Sequence, residues 1–290
     1  MEILEVKLGK LQRKAWKLKI PIIFVFEGWH ASGMGEEINR FMLPLDPRGY
    51  DFHTMTFDCY EDALNPFLLH FWALISVRGK IAIFDRGWYS RAIIKHFRKT
   101  KFNEELEKCL EEINCFERQL SDDGYLILKF FLHISEKEQE CRFREIKKNS
   151  IPLILYEYEK KNEKELDFIH EYNEYLPIIE KMLEKTDMPY APWTIVGAND
   201  RNFATLKIIT TAIQVIETYI ENMTRTLGQH TIKYLHREIL KLPELSASVL
   251  EKLICPKLSY LRNTKKPKSF TSKNLKTSST SFSRKSAPWL

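Results

Sequence analysis

Short apolar segments that alternate with helical patterns are the feature of this sequence that most restricts its fold. Three of these segments are almost continuously apolar, which is typical of central parallel strands covered on both faces. The sequence therefore predicts an α/β fold, with helices on both faces of a parallel sheet. The five candidate strands are "PIIFVF" (21–26), "FHTMTF" (52–57), "IAIFD" (81–85), "YLILKFFLHI" (125–134) and "WTIVGA" (193–198). Helical periodicity is found near 3–18, 35–43, 65–76, 90–98, 103–121, 136–148, 163–185 and 201–222.

The first predicted strand leads into a glycine-rich turn and a helix, in the segment "IPIIFVFEGWHASGMGEE" (20–37). Gly28 and Gly33 have the spacing of the phosphate-binding loop G-x-x-x-x-G-K-[ST], which also lies between a strand and a helix. Backbone N–H groups of such a turn attract anions even without a lysine. Met34 stands at the lysine position, so the cation that would stabilise a transferring phosphoryl group is missing. Taken alone, the pattern also fits a glycine-rich turn with no phosphate site.

A second candidate element is "IAIFDRGWYSR", an apolar run that ends in a carboxylate. Asp85 is placed to hold Mg²⁺ directly or through water, as in nucleotide kinases. Arg86 and Arg91 flank the strand end and can grip phosphate oxygens through two N–H groups each. The alternative is an aspartate that caps the next helix, with two surface arginines. The combination of this element with the glycine-rich turn favours a phosphate site.

Five segments together resemble the motifs of the type-2 polyphosphate kinase family over roughly residues 8–220. The closest resemblance is to the first domain of the tandem form, polyphosphate:AMP phosphotransferase, in which two such domains are fused. "LPELSASVLEKL" (242–253) resembles the connector after that first domain, so we expect the chain to correspond to the first half of a fused enzyme. The five segments are "FEGWHASGMG", "LDPRGY", "GKIAIFDRGWYSRA", "FERQLSDDGYLILKFFLHISEKEQECRF" and "TDMPYAPWTIVGANDRNFA".

The resemblance implies a P-loop kinase-like three-layer sandwich with a five-stranded parallel sheet and a helical lid. It also implies Mg²⁺ as the cofactor and phosphoryl exchange between polyphosphate and AMP or ADP. Asp85, Arg86 and Arg91 match the family's catalytic motif, with Asp85 as the metal ligand and Gly87 replacing the usual serine. The implied phosphate-binding residues are Gly28, Gly33 and Gly35 of the loop and Lys160 and Lys161 of the lid.

Four positions depart from the family pattern, and each change removes a charge. His30 stands where active members often carry aspartate, and Met34 replaces the loop lysine. His70 falls where an arginine is common, and Asn173 where an aspartate is usual. Two hypotheses follow from these changes. The chain is either a polyphosphate-dependent phosphotransferase whose activity is weak or lost, or a non-catalytic domain that binds polyphosphate or a nucleotide or assembles with active paralogues.

Composition restricts the class of protein but not its chemistry. Of 290 residues, 44% are hydrophobic and 29% charged, as in ordinary soluble globular proteins. The net charge of +6 comes largely from the last thirty residues, so it does not indicate a specific nucleic acid partner. Five scattered cysteines lack metal-ligand spacing, and we expect reduced thiols. Because no signal peptide is evident and no stretch approaches ~18 apolar residues, we expect a cytoplasmic protein without a membrane partner.

The predicted organisation has four parts. An N-terminal helix occupies 1–19, and the P-loop domain occupies 20–225, with a lid at about 149–175. A helical connector follows at 226–262. The tail at 263–290 is rich in Ser, Thr and Lys without apolar periodicity, and we expect it to be disordered. The family resemblance also implies a homo-oligomer.

Overall fold

The computed structural model of the chain describes residues 1–54, 66–97, 104–149 and 172–239, without the side chains of 94–97, 147, 149 and 226–239. Five strands form its sheet: β1 (Ile22–Gly28), β2 (Tyr50–Thr54), β3 (Ile81–Asp85), β4 (Leu126–His133) and β5 (Trp193–Gly197). All neighbours are parallel, in the order β2-β3-β1-β4-β5. The predicted five-stranded parallel sheet is therefore confirmed.

Helices connect these strands at the predicted places. They are α1 (Glu2–Lys17), α2 (Met34–Met42), α3 (Leu69–Leu74), α4 (Trp88–Phe97), α5 (Glu104–Asp122), α6 (Glu136–Asn149), α7 (Tyr172–Thr186) and α8 (Arg201–Ile239). A 3₁₀ turn over Pro47–Gly49 precedes β2. The helix predicted at 201–222 is longer in the structure, where α8 continues to Ile239, into residues predicted as part of a helical connector.

The core lies on both faces of the central strand β1. Its residues 22–27 are all buried, although successive side chains point to opposite faces. On one face, the Phe41 ring of α2 packs against Phe24 and Phe26, with centroid distances of 4.7 and 5.8 Å. On the other face, α4 contacts α5, and α5 contacts α7. The sheet is thus covered on both sides, as the continuous apolar runs predicted.

A buried ion pair links the sheet to the helices α4, α5 and α7. Lys129 of β4 and Glu117 of α5 have fully buried side chains, and their Nζ and Oε2 atoms are 2.8 Å apart. Lys129 Nζ also donates to the Tyr89 hydroxyl and the Thr186 carbonyl, at 2.8 Å each. Glu117 Oε1 accepts from the Trp88 indole at 3.0 Å and from the Tyr89 hydroxyl at 2.6 Å. Burial lowers the pKa of Lys129, and the Glu117 carboxylate opposes this effect.

The chain divides into two units, Met1–Leu227 and Gly228–Leu290. Only residues 228–239 of the second unit, which belong to α8, are described. Among the described residues, one helical stretch, Arg201–Arg225, is long and apolar enough to cross a membrane. This match is weak evidence, because 44% of the 18-residue window that passes this test is buried inside the protein and core helices pass the same test.

Several predicted segments lie outside the described residues. They are residues 150–171 of the lid, residues 240–262 of the connector and the whole tail, 263–290. The four-part domain organisation therefore stays a prediction.

The buried pair generates a stability prediction. We expect Lys129→Met to lower the free energy of unfolding by about 3–5 kcal/mol, because it leaves the Glu117 carboxylate buried without a counter-charge. Urea denaturation measures this difference. The matched control is Lys181→Met at the Lys181–Glu184 pair, where the lysine side chain is 40% exposed and the change should stay below about 1 kcal/mol. If both variants lost the same free energy of unfolding, the buried ion pair would not be the stabilising contact described here.

Candidate phosphate site at the carboxyl edge of the sheet

The two motifs predicted from sequence meet at the carboxyl edge of the sheet. β1 and β3 are neighbours, with Phe26 opposite Asp85. The turn after β1 therefore lies beside the turn after β3. The Arg86 N–H donates to the Phe26 carbonyl at 3.0 Å, which ties the turn after β3 to the end of β1. Ligands of open α/β sheets bind outside the carboxyl ends of the strands, so this edge is the candidate site.

Two of the three loop glycines are required by the backbone. A Cβ atom at Gly28 would lie 2.6 Å from the Leu132 carbonyl oxygen, because β1 and β4 approach closely there. Gly33 has a φ of 86°, a left-handed conformation that favours glycine, and it caps the N-terminus of α2. Gly35 is exposed, and a Cβ there would meet no atom within 4 Å. The space beside Gly35 is open to an incoming ligand.

Met34 and His30 supply no formal charge to this loop. Met34 begins α2, and its side chain is buried in the apolar core. The Arg86 Nη2 atom donates to Nδ1 of His30 at 3.0 Å. Burial lowers the pKa of His30 well below its ordinary value of 6.5, and the Arg86 charge lowers it further. His30 is therefore a neutral acceptor that orients the Arg86 guanidinium.

Glu27 holds the backbone around Arg86, a role that sequence reasoning missed. Its carboxylate is 3% exposed and accepts hydrogen bonds from the Gly87 N–H at 2.8 Å and the Ser90 N–H at 3.2 Å. The Ser90 hydroxyl also donates to it. These bonds cap the first turn of α4 and stabilise Arg86 at a φ of 60°, which is unfavourable for a non-glycine residue. A lone carboxylate in the apolar strand "IIFVFEG" was the signal for this role.

A small cavity lies behind this cluster. It has a volume of about 40 Å³ and is lined by Glu27, His30 and Arg86 on its polar side, with Phe131, Ile179 and Met182 among its apolar lining. That volume is far below the 300–1,000 Å³ of a typical ligand pocket, so this cavity is too small to enclose a nucleotide or a phosphate chain.

Asp85 is the predicted metal ligand and is partly buried at the end of β3. Burial raises its pKa, whereas the neighbouring Arg86 charge lowers it. Within the described residues, no group of three or more His, Cys, Asp or Glu side chains could hold a metal ion. Mg²⁺ in kinases needs only one or two carboxylates, with water and substrate phosphates completing its shell. A single Asp85 fits that kind of site and does not fit an all-protein metal cage.

The remaining predicted residues lie around this centre in different settings. Arg91 of α4 has its guanidinium carbon 5.7 Å from the Phe67 ring centroid and 5.8 Å from that of Phe71. His70 is exposed on α3, with its ring 5.8 Å from the Phe71 ring. Asn173 of α7 donates to Glu136 of α6 at 2.7 Å. Lys160 and Lys161 lie outside the described residues.

The structure thus brings together the loop glycines, His30, Asp85 and Arg86. It also places acids in the first turn of α2, which sequence reasoning did not consider. Glu36 pairs with Arg40 at 2.8 Å and with Arg201, and Glu37 accepts from the Thr205 hydroxyl at 2.6 Å. Negative side chains at a helix N-terminus reduce its attraction for other anions.

Comparison with known proteins places the chain in a family of polyphosphate kinase 2 sequences. Residues 1–224 match the family described as Polyphosphate kinase 2 (PPK2). Polyphosphate:AMP phosphotransferase from Pseudomonas syringae is 34% identical over 209 residues, covering 72% of this chain and 41% of the relative. The protein of the same name from Pseudomonas aeruginosa is 34% identical over 213 residues, which cover 73% of this chain and 42% of the relative. The chain therefore spans about two fifths of the length of these curated relatives.

Solved structures agree with the fold. A crystal structure titled as a putative polyphosphate kinase 2 from Pseudomonas aeruginosa superimposes with a TM-score of 0.68 at 30% identity, covering 76% of this chain and 47% of that one. The crystal structure of Polyphosphate Kinase 2 from Arthrobacter aurescens has a TM-score of 0.67 at 23% identity, and the match covers 75% of this chain and 77% of that one. The predicted P-loop kinase-like α/β fold is confirmed.

The half-buried, neutral His30 generates a pH prediction. As the pH falls below about 6.5, His30 takes up a proton in the unfolded chain but not in the folded one. Acidification therefore stabilises the unfolded state and lowers the free energy of unfolding. His30→Asn keeps an acceptor for Arg86 but does not titrate. We expect the wild type to lose stability relative to His30→Asn between pH 7 and 5, at up to about 1.4 kcal/mol per pH unit. Urea unfolding at several pH values measures this, and parallel profiles would contradict it.

Proposed function

Because the chain belongs to the polyphosphate kinase 2 family, we propose that it binds polyphosphate and AMP or ADP at the carboxyl edge of its sheet and transfers phosphoryl groups between them only slowly. The observation that supports this proposal most is the contact between the two turns. The His30 side chain of the glycine-rich loop accepts a hydrogen bond from Arg86, and the Arg86 N–H donates to Phe26 near the end of β1. A shared anion site needs this juxtaposition.

Each residue of the candidate site has a proposed role that follows from its chemistry. Loop N–H groups at the start of α2 bind phosphate oxygens. Asp85 holds Mg²⁺, which neutralises phosphate charge when bound. Arg86, oriented by His30 and with its backbone held by Glu27, places its guanidinium beside the loop. Arg91 lies one helical turn further along α4 as a second cation.

The low rate follows from Met34. Phosphoryl transfer depends mainly on positioning and charge stabilisation, and one lost donor raises the barrier by about 3–4 kcal/mol. This corresponds to more than a hundredfold in rate. The buried Met34 side chain offers no cation in return.

A second candidate function is a non-catalytic domain that binds polyphosphate or a nucleotide. Two observations favour it: the apolar burial of Met34 and the acids Glu36 and Glu37 in the first turn of α2. Both weaken the electrostatic stabilisation of a transition state. Neither removes the backbone N–H groups that hold an anion in the ground state.

A transfer assay with purified protein, polyphosphate, Mg²⁺ and AMP or ADP separates the two candidates. We expect slow nucleotide formation by the wild type and at least about a tenfold gain in Met34→Lys, since the added ammonium restores the missing charge. The matched control is Leu43→Lys, which adds the same charge at a side chain that is 82% exposed beyond the other end of α2. It should leave the rate unchanged.

Asp85→Asn tests the metal role in the same assay. The amide cannot supply the negative charge that Mg²⁺ prefers, so transfer should stop. Polyphosphate binding without any transfer, in both the wild type and Met34→Lys, would favour the non-catalytic domain. A wild-type rate that Met34→Lys does not exceed would contradict the role given to Met34.

A further inference from the structure

Two side chains of helix α6 donate hydrogen bonds to three successive carbonyl groups of the glycine-rich loop. Gln139 Nε2 donates to the His30 carbonyl at 3.1 Å. Arg142 Nη1 donates to the Ala31 carbonyl at 3.1 Å and to the Ser32 carbonyl at 2.8 Å. Gln139 and Arg142 are three residues apart, so they share one face of the helix.

Arg142 has no spare donor. Its Nη2 atom donates to the Ala198 carbonyl at 2.7 Å and the Asn199 carbonyl at 3.1 Å, just after β5. Its Nε atom donates to Glu138 at 2.7 Å. A guanidinium carries five N–H groups, and each has a partner here. Arg142 is only 7% exposed, so these bonds are shielded from solvent.

The hydrogen bonds to these carbonyls also fix the direction of the backbone N–H groups in the same peptide units. In a trans peptide the C=O and N–H groups point in opposite directions, so the N–H groups of Ala31 and Gly33 point away from Gln139 and Arg142. The Ser32 N–H is used within the turn, where it donates to the Trp29 carbonyl at 3.1 Å. In the part of the chain that the structure describes, no acceptor is found for the Ala31 and Gly33 N–H groups. They are available to a ligand.

We propose that Gln139 and Arg142 are positioning residues for polyphosphate, which hold the loop so that the Ala31 and Gly33 N–H groups face the phosphate chain. This proposal rests on the proposed function. It gives α6 the task of preorganising the loop in a chain that lacks the loop lysine. The loop is then ordered before the ligand arrives, and binding does not have to supply the free energy of ordering it.

Polyphosphate affinity and amide hydrogen exchange test the proposal together. Arg142→Lys keeps the charge, but one ammonium group cannot reach the carbonyls of the glycine-rich loop and those that follow β5 at the same time. We expect its Kd for polyphosphate to rise at least about tenfold at fixed salt, which corresponds to the loss of about one hydrogen bond to a charged group. The Ser32 amide, which donates to the Trp29 carbonyl in the wild type, should exchange faster in this variant, while the amides of β1 and β4 stay protected. Gln139→Leu removes one bond and should shift both readouts in the same direction by less.

The matched control is Arg144→Lys on the same helix. Arg144 is exposed and pairs with Glu140 at 3.6 Å, so this variant repeats the substitution without touching the loop. Its Kd and loop exchange should equal those of the wild type. If Arg142→Lys unfolds globally, which the β1 and β4 amides would reveal, Gln139→Leu carries the test alone.

The outcomes distinguish this proposal from the proposed function. Polyphosphate binding that weakens in Arg142→Lys, without phosphoryl transfer by the wild type, upholds the positioning role and overturns only the transfer. An unchanged Kd with unchanged loop exchange in both Arg142→Lys and Gln139→Leu overturns the positioning role and leaves the transfer standing. A wild type that does not bind polyphosphate overturns both.

Discussion

The buried pair of Lys129 and Glu117 is the interaction on which the geometry of the site depends. Removing two charges from water is costly, and it is tolerated here because each charged atom has several hydrogen-bond partners. The partners come from β4, α4, α5 and the end of α7. The pair therefore fixes the first turn of α4 against the sheet. Arg86 precedes that turn and Arg91 follows it, so the position of both cations depends on a contact that neither of them makes.

Around this centre several hydrogen bonds hold the two motifs of the candidate site, while Met34 and the neutral His30 add no formal charge. Glu27 and His30 hold Arg86 at its backbone and at its side chain, and α6 holds the loop from the opposite side. Electrostatic preorganisation in kinases normally needs both the arrangement and the charges. Here Glu27, His30 and α6 supply the arrangement around Arg86 and the loop, whereas the apolar Met34 stands at the position predicted for the loop lysine.

The sheet and its helices could be predicted from the sequence because their signals are local. Continuous apolar runs such as β1 and β4 identify buried parallel strands, and the Gly28 and Gly33 spacing identifies the turn between β1 and α2. The role of Glu27 had a weaker signal, since a charge inside an apolar run calls for a buried partner. Arg142 had none, because its partners are backbone carbonyls from two distant loops, and any sequence supplies carbonyls. The acids Glu36 and Glu37 were visible but had meaning only once α2 was known to begin at Met34.

Close packing at Gly28 has a consequence for how relatives of this chain can diverge. The Leu132 carbonyl leaves no room for any side chain at that position, so a lineage keeps this glycine for as long as it keeps its sheet, whatever happens to its chemistry. Gly35 has open space beside it and is under no such restriction. The glycine at position 28 therefore follows from the packing of β1 against β4, whereas the chemistry of the edge depends on side chains elsewhere, such as Asp85 and Arg86.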